Sequence, residues 1–111
     1  MKLSLDAIIA TEKLTDYLLM WRSEDDKSQW LASAGYTVAR WQQLESDLRT
    51  QILPLDARPA RSTAFGQMYE IRGTLTGPNA EVLPIRSFWM YEYETGVTKF
   101  ITLYPDKERA T

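Results

Sequence analysis

Ile85 to Tyr104 reads IRSFWMYEYETGVTKFITLY, two runs rich in β-branched and aromatic residues on either side of Glu94-Thr95-Gly96. Such runs around a short turn with glycine predict an antiparallel hairpin. A chain that holds one must build a sheet around it, because an isolated hairpin is marginal in water. Closing the turn with three residues pairs Tyr93 with Val97, Tyr91 with Lys99, Trp89 with Ile101 and Ser87 with Leu103 on one face. The other face then carries Glu92 with Thr98, Met90 with Phe100, Phe88 with Thr102 and Arg86 with Tyr104. Successive side chains alternate between faces, so one bulge exchanges part of this assignment. The first face reads as core. The second mixes Arg, Thr and Tyr with apolar residues, and function is expected there.

The chain ahead of the hairpin is helical first and extended later. Leu14, Tyr17 and Leu18 make an apolar stripe on a short helix starting near Thr11. Ser23 is the expected N-cap of a second helix with an acidic first turn, Glu24-Asp25-Asp26. That helix carries Lys27, Trp30, Leu31 and Ala34 and ends at Gly35, where a C′ glycine belongs. Thr37 is placed to cap a third helix, whose face is Trp41, Leu44, Leu48 and Ile52 and which Pro54 stops. Residues 53–64 read as a connector with Pro54, Pro59, Arg58 and Arg61, the two arginines forming with Lys99 a candidate basic rim. Strands are predicted over 66–75, 82–93 and 97–104, with Thr76-Gly77-Pro78-Asn79 as a turn and a charged tail from Asp106. The expected architecture is α+β, one domain over 1–111. Two or three helices within 1–54 pack on one face of a three- to four-stranded antiparallel sheet within 65–105.

Composition narrows the chemistry more than the fold. The 111 residues contain neither His nor Cys. Thiolate catalysis, Ser-His triads, disulfides and conventional zinc sites are therefore excluded. No glycine-rich phosphate loop is present, and neither a cofactor nor a metal site is expected. No apolar run reaches the ~20 residues of a membrane span, and the N-terminus does not read as a secretory signal. A cytoplasmic location is the expectation. A net charge of −2 argues against broad electrostatic attraction to nucleic acid but leaves room for a local basic patch.

The segments KLTDYLL, DDKSQWLASAGYT, FGQMYEIRGTLTGPN, FWM and TKFITLYP resemble an uncharacterised bacterial family common in cyanobacteria. Its members share a lysine ahead of a Phe/Leu-rich helix, a Gly-Tyr-Thr corner, a strand and turn ending in GPNG, a Trp-containing strand and a last T-x-Y-P strand. The resemblance is collinear over nearly the whole chain. Phe65 stands where the family has Tyr, Ala80 where Gly follows Asn, and Arg86-Ser87-Phe88 where an apolar lead-in to Trp89 is usual. The resemblance implies a free-standing small protein encoded beside another, as in a toxin–antitoxin pair. The layout is also similar to that of barnase-, EndoU- and RelE-like ribonucleases.

Cleaving RNA by attack of its own 2′-hydroxyl needs a base, an acid and a cation at the phosphate. Glu70 is the candidate base, Arg72 and Lys27 the electrophiles and Tyr104 the acid, with Thr102 on the same face. Lys27 is the odd charge, since a cation in the first turn of a helix is disfavoured by the dipole. Arg86, Phe88, Met90 and Phe100 are the candidate binding residues, either stacking bases or lying under a partner protein or second subunit. Two function classes fit. One is a metal-independent ribonuclease toxin neutralised by a neighbouring protein. The other is a non-catalytic interaction module, an antitoxin or assembly subunit, that binds its partner through the sheet face.

Overall fold

The computed structural model describes residues 1–20 and 27–107. The second half of the chain forms one antiparallel sheet of four strands in sequence order, β1 (Arg58–Ser62), β2 (Gly66–Thr76), β3 (Val82–Glu92) and β4 (Thr98–Pro105). The three strands read from periodicity are present. β1 is an addition, lying in the stretch that reads as a connector. Its five residues are all exposed, so it lacks the buried alternation that marks a strand in sequence. Pro59 is tolerated there because an edge strand leaves one side unpaired.

The hairpin register holds at its open end and shifts at its middle. Arg86 pairs with Tyr104, Ser87 with Leu103 and Phe88 with Thr102. The register then slips by one, so that Trp89 faces Phe100, Met90 faces Lys99 and Tyr91 faces Thr98. Ile101 is the extra residue of a β-bulge. The expected pairs Trp89–Ile101, Met90–Phe100 and Tyr91–Lys99 are therefore corrected. Phe100 moves from the outer face into the core, where its ring meets Trp89 edge-on at 5.2 Å. At the turn, Gly96 adopts φ +68°, which a side chain would strain.

The helices are shorter and wider than the apolar stripes suggest. α1 (Thr11–Lys13) passes into a π-helical turn over Leu14–Leu18, in which the Leu19 amide donates to the Leu14 carbonyl at 2.8 Å. α2 is Ser28–Ala32, and Gly35 (φ +95°) ends that helical segment as expected. Ser23 and its acidic turn lie outside the described residues, and Lys27 is itself the residue ahead of α2. Thr37 makes no side-chain cap; it precedes a 3-10 turn over Val38–Arg40 that leads into α3 (Trp41–Asp47). A second π-helical turn, Leu48–Ile52, follows α3.

These elements share one core. Leu14, Leu18, Leu31, Leu44, Leu48 and Ile52 pack with Ile71, Leu75, Ile85, Trp89, Phe100 and Leu103, all buried. Trp30 and Trp41 pack on its margin, half-buried. Burying each large apolar side chain is worth roughly 1.5–3 kcal/mol. A buried polar group ties the helical layer together: the Tyr36 hydroxyl donates to Asp47 Oδ2 at 2.7 Å, and Gln43 Nε2 donates to Oδ1 at 3.0 Å. Burial first, and the Asp47 carboxylate second, push the Tyr36 phenol well above its usual range.

Two further features shape the sheet. Ile8 makes a one-residue parallel bridge to Lys99 on the free edge of β4, donating to the Thr98 carbonyl and accepting from the Phe100 amide, both at 2.8 Å. This lead-in covers part of an otherwise open edge. Asp106, expected to start a solvated tail, instead extends the sheet by donating to the Pro84 carbonyl at 2.9 Å, and is 1% exposed.

Candidate functional site

Strand pairing places the candidate residues in two cross-strand rows on the face away from the core. One row is Arg58, Glu70, Phe88 and Thr102, from β1 to β4. The next is Arg72, Arg86 and Tyr104. Residues directly opposite on neighbouring strands share a face, so seven side chains far apart in sequence come together by register alone. Met68 and Met90 form the following row with Lys99.

The rows are wired by charge and by rings. Arg86 Nε donates to Glu70 Oε2 at 2.6 Å, and Arg72 Nε lies 3.6 Å from Oε1. The Arg86 guanidinium lies 5.5 Å from the Phe88 ring centre, and Phe88 meets Tyr104 edge-on at 5.8 Å. Lys27 closes the series. Its ammonium sits 3.9 Å from the centre of the Tyr104 ring and donates to Tyr17 Oη at 3.3 Å. Lys27 is only 7% exposed, although it comes from the helical half of the chain. A cation held against aromatic faces away from water is attracted by up to about 2 kcal/mol or more. The Thr102 hydroxyl is buried and has no hydrogen-bond partner among the described residues, as is true of both Asp106 carboxylate oxygens.

Lys27, Glu70, Arg72, Arg86, Phe88, Thr102 and Tyr104 thus lie on or against one face. Met90 is on it too, half-buried, one row further along. Phe100 is not, because the bulge at Ile101 turns it inward. Glu70 differs from its expected setting in another way. Both of its oxygens face guanidinium groups, so its carboxylate is committed to orienting Arg72 and Arg86 rather than left open to take a proton.

Tyr17 falls on the apolar stripe of Leu14 and Leu18, as a core residue would, yet it is half-buried and carries the hydrogen bond to Lys27; no signal in the sequence marks that role. Of the residues expected on a basic rim, Arg58 is set opposite Glu70 by the β1–β2 pairing, and Lys99 opposite Met90.

A second surface lies at the hairpin end. Phe65 is 77% exposed, and its carbonyl accepts from the Tyr93 amide at 3.0 Å, so the β2–β3 pairing runs one residue past the strands. Tyr91 and Tyr93, also exposed, meet edge-on at 6.3 Å. Ala64, Phe65, Glu92, Tyr93 and Glu94 line an open cleft there. Lys99, 3.1 Å from Glu92, and the Thr95 hydroxyl hold the Glu92 carboxyl below its ordinary range. Among the described residues no three acidic groups gather as a metal site would require, and no helix is long and apolar enough to cross a membrane.

The chain belongs to a family described as a domain of unknown function, DUF6883, whose model matches residues 4–107. No curated protein and no solved structure matches it significantly.

Proposed function

We propose that this member of the DUF6883 family is a metal-independent ribonuclease toxin, held in check by a protein encoded beside it, with its site where Lys27 meets Tyr104. One observation carries the reading: a lysine from the helical half, almost removed from water, is brought to 3.9 Å from an aromatic ring of the outer sheet face. An ammonium so placed costs desolvation, offset by the aromatic faces that hold it. It suits the negative charge that develops on a phosphate during transesterification. Lys27, held by its hydrogen bond to the Tyr17 hydroxyl, is the electrophile; Tyr104 is the acid that protonates the departing 5′-oxygen, and the 2′-hydroxyl proton leaves to water. Glu70 acts as a positioning residue that aims Arg72 and Arg86.

Expression of the chain alone should arrest growth, and co-expression of the neighbouring protein should relieve it. Lys27→Ala should abolish the arrest and lower RNA cleavage by about 10²–10³-fold, the usual loss for one charge-stabilising group. An Ala variant as toxic as the parent would remove this site. A parent harmless at high expression would put the interaction-module reading first. That second reading has its own support in Phe65, Tyr91 and Tyr93, an exposed aromatic group of the kind that marks protein interfaces.

A further inference from the structure

The two rows on the outer face extend beyond the Lys27 cluster to the opposite edge of the sheet. There Asp56, Arg58, Glu70 and Arg72 line a cleft of about 240 Å3. Two carboxylates in a cleft would ordinarily repel an anion, but both are already matched. Glu70 faces Arg86 and Arg72, and Asp56 Oδ1 lies 3.3 Å from the N-terminal amine and 3.8 Å from Lys2 Nζ. The Arg58 side chain makes no ion pair and no hydrogen bond among the described residues, so its guanidinium is open to an anion in the cleft. Across the face and its cleft, Arg58, Arg72, Arg86 and Lys27 outnumber the carboxylates of Glu70 and Asp56, in a chain whose net charge is −2.

From the Arg58 end the face runs through the ring of Phe88 to that of Tyr104, 41% exposed, which Lys27 borders. Three inter-strand gaps separate β1 from β4, about 14 Å. Cations at both ends and stackable rings between them are what an unpaired strand requires: phosphates take the charges and bases take the rings. A duplex hides its bases and offers nothing to the rings.

We infer that a single strand of RNA lies across the sheet, from the Lys27–Tyr104 cluster to a phosphate subsite formed by Arg58 and Arg72. The choice of RNA rests on the ribonuclease reading; the path across the strands rests on the register. Lys27 marks the reacting end, and the Arg58 cleft holds a phosphate further along the same strand.

The test is fluorescence anisotropy of the full chain with a labelled 2′-O-methyl oligouridine, which lacks the attacking hydroxyl and so reports binding without cleavage. Arg58→Ala should weaken binding and reduce the slope of log K against log salt by about 0.7, the value for one phosphate contact on a single strand. Phe88→Ala should weaken it by about tenfold through lost stacking. Thermal unfolding of each variant checks that the fold is retained. An unchanged affinity and salt slope in Arg58→Ala would overturn the subsite. Equal affinity for a duplex would overturn the stacked path. Binding with the expected Arg58 effect by a parent that neither cleaves RNA nor arrests growth would keep the path and sink the nuclease. Arrest and cleavage without any Arg58 effect would do the reverse.

Discussion

Trp89 and Phe88 are neighbours on β3 and face opposite ways. Trp89 is fully buried, packs edge-on against Phe100, and donates its indole N–H to Ser87 Oγ at 2.8 Å. Ser87 in turn donates to the Ile71 carbonyl at 2.9 Å. The indole N–H and the serine hydroxyl are thus both satisfied on the inner face. Phe88 is half-buried, with a guanidinium over it and a tyrosine beside it. The inner face places apolar mass against the helices. The outer face keeps rings and charges within reach of solvent. One strand supports both because its side chains alternate, so stability and function are carried by interleaved residues of the same segment.

The sharpest way to break this comparison is to truncate both rings. Trp89→Ala should cost about 3–5 kcal/mol in chemical denaturation. Phe88→Ala should cost less than about 1 kcal/mol. Similar losses from the two would show that the outer face is part of the folding core and would undercut its assignment as a binding surface.

The buried polar pair behind the inner face gives a smaller effect with a distinctive pH signature. Tyr36→Phe leaves one Asp47 oxygen without its donor and should cost about 1–3 kcal/mol. The Tyr36 phenol is held protonated in the folded chain above its ordinary pKa of 10.0. The unfolded chain loses that proton first, so the stabilisation is complete below pH about 10 and falls as pH rises further. Denaturation midpoints measured across this range should drop in the parent, and the drop should be smaller in Tyr36→Phe. Parallel curves would show that the phenol ionises equally in both states.

The smallest effect lies where β2 turns into β3. Ala80 adopts φ +72°, a left-handed conformation that an L side chain occupies at a cost of about 1–2 kcal/mol. Ala80→Gly relieves the strain but loosens the unfolded chain, so a net gain of about 0.5–1 kcal/mol is expected in thermal or denaturant unfolding. A loss of stability would mean that the alanine methyl makes contacts outweighing its strain.

Much of the architecture was legible because it follows from short-range rules. Alternation in FGQMYEIRGTLT and in the hairpin predicts the strands, glycine after a helix or in a turn predicts positive φ, and helices ahead of strands predict the α+β layering. The absence of His and Cys excludes whole reaction classes without any fold. Local pattern does not show where the register slips, because the bulge at Ile101 is settled by which residue packs against Trp89. It therefore could not place Phe100 in the core. Nor does local pattern reveal β1, whose residues are exposed and pair only because β2 offers an edge. The meeting of Lys27 with Tyr104, seventy-seven positions on by their numbers in the chain, is invisible to any periodicity. The sequence by itself determined the elements, their order and the chemical groups at hand. Tertiary structure alone decided which groups share a face, since a one-residue shift along a strand turns a side chain from solvent into the core.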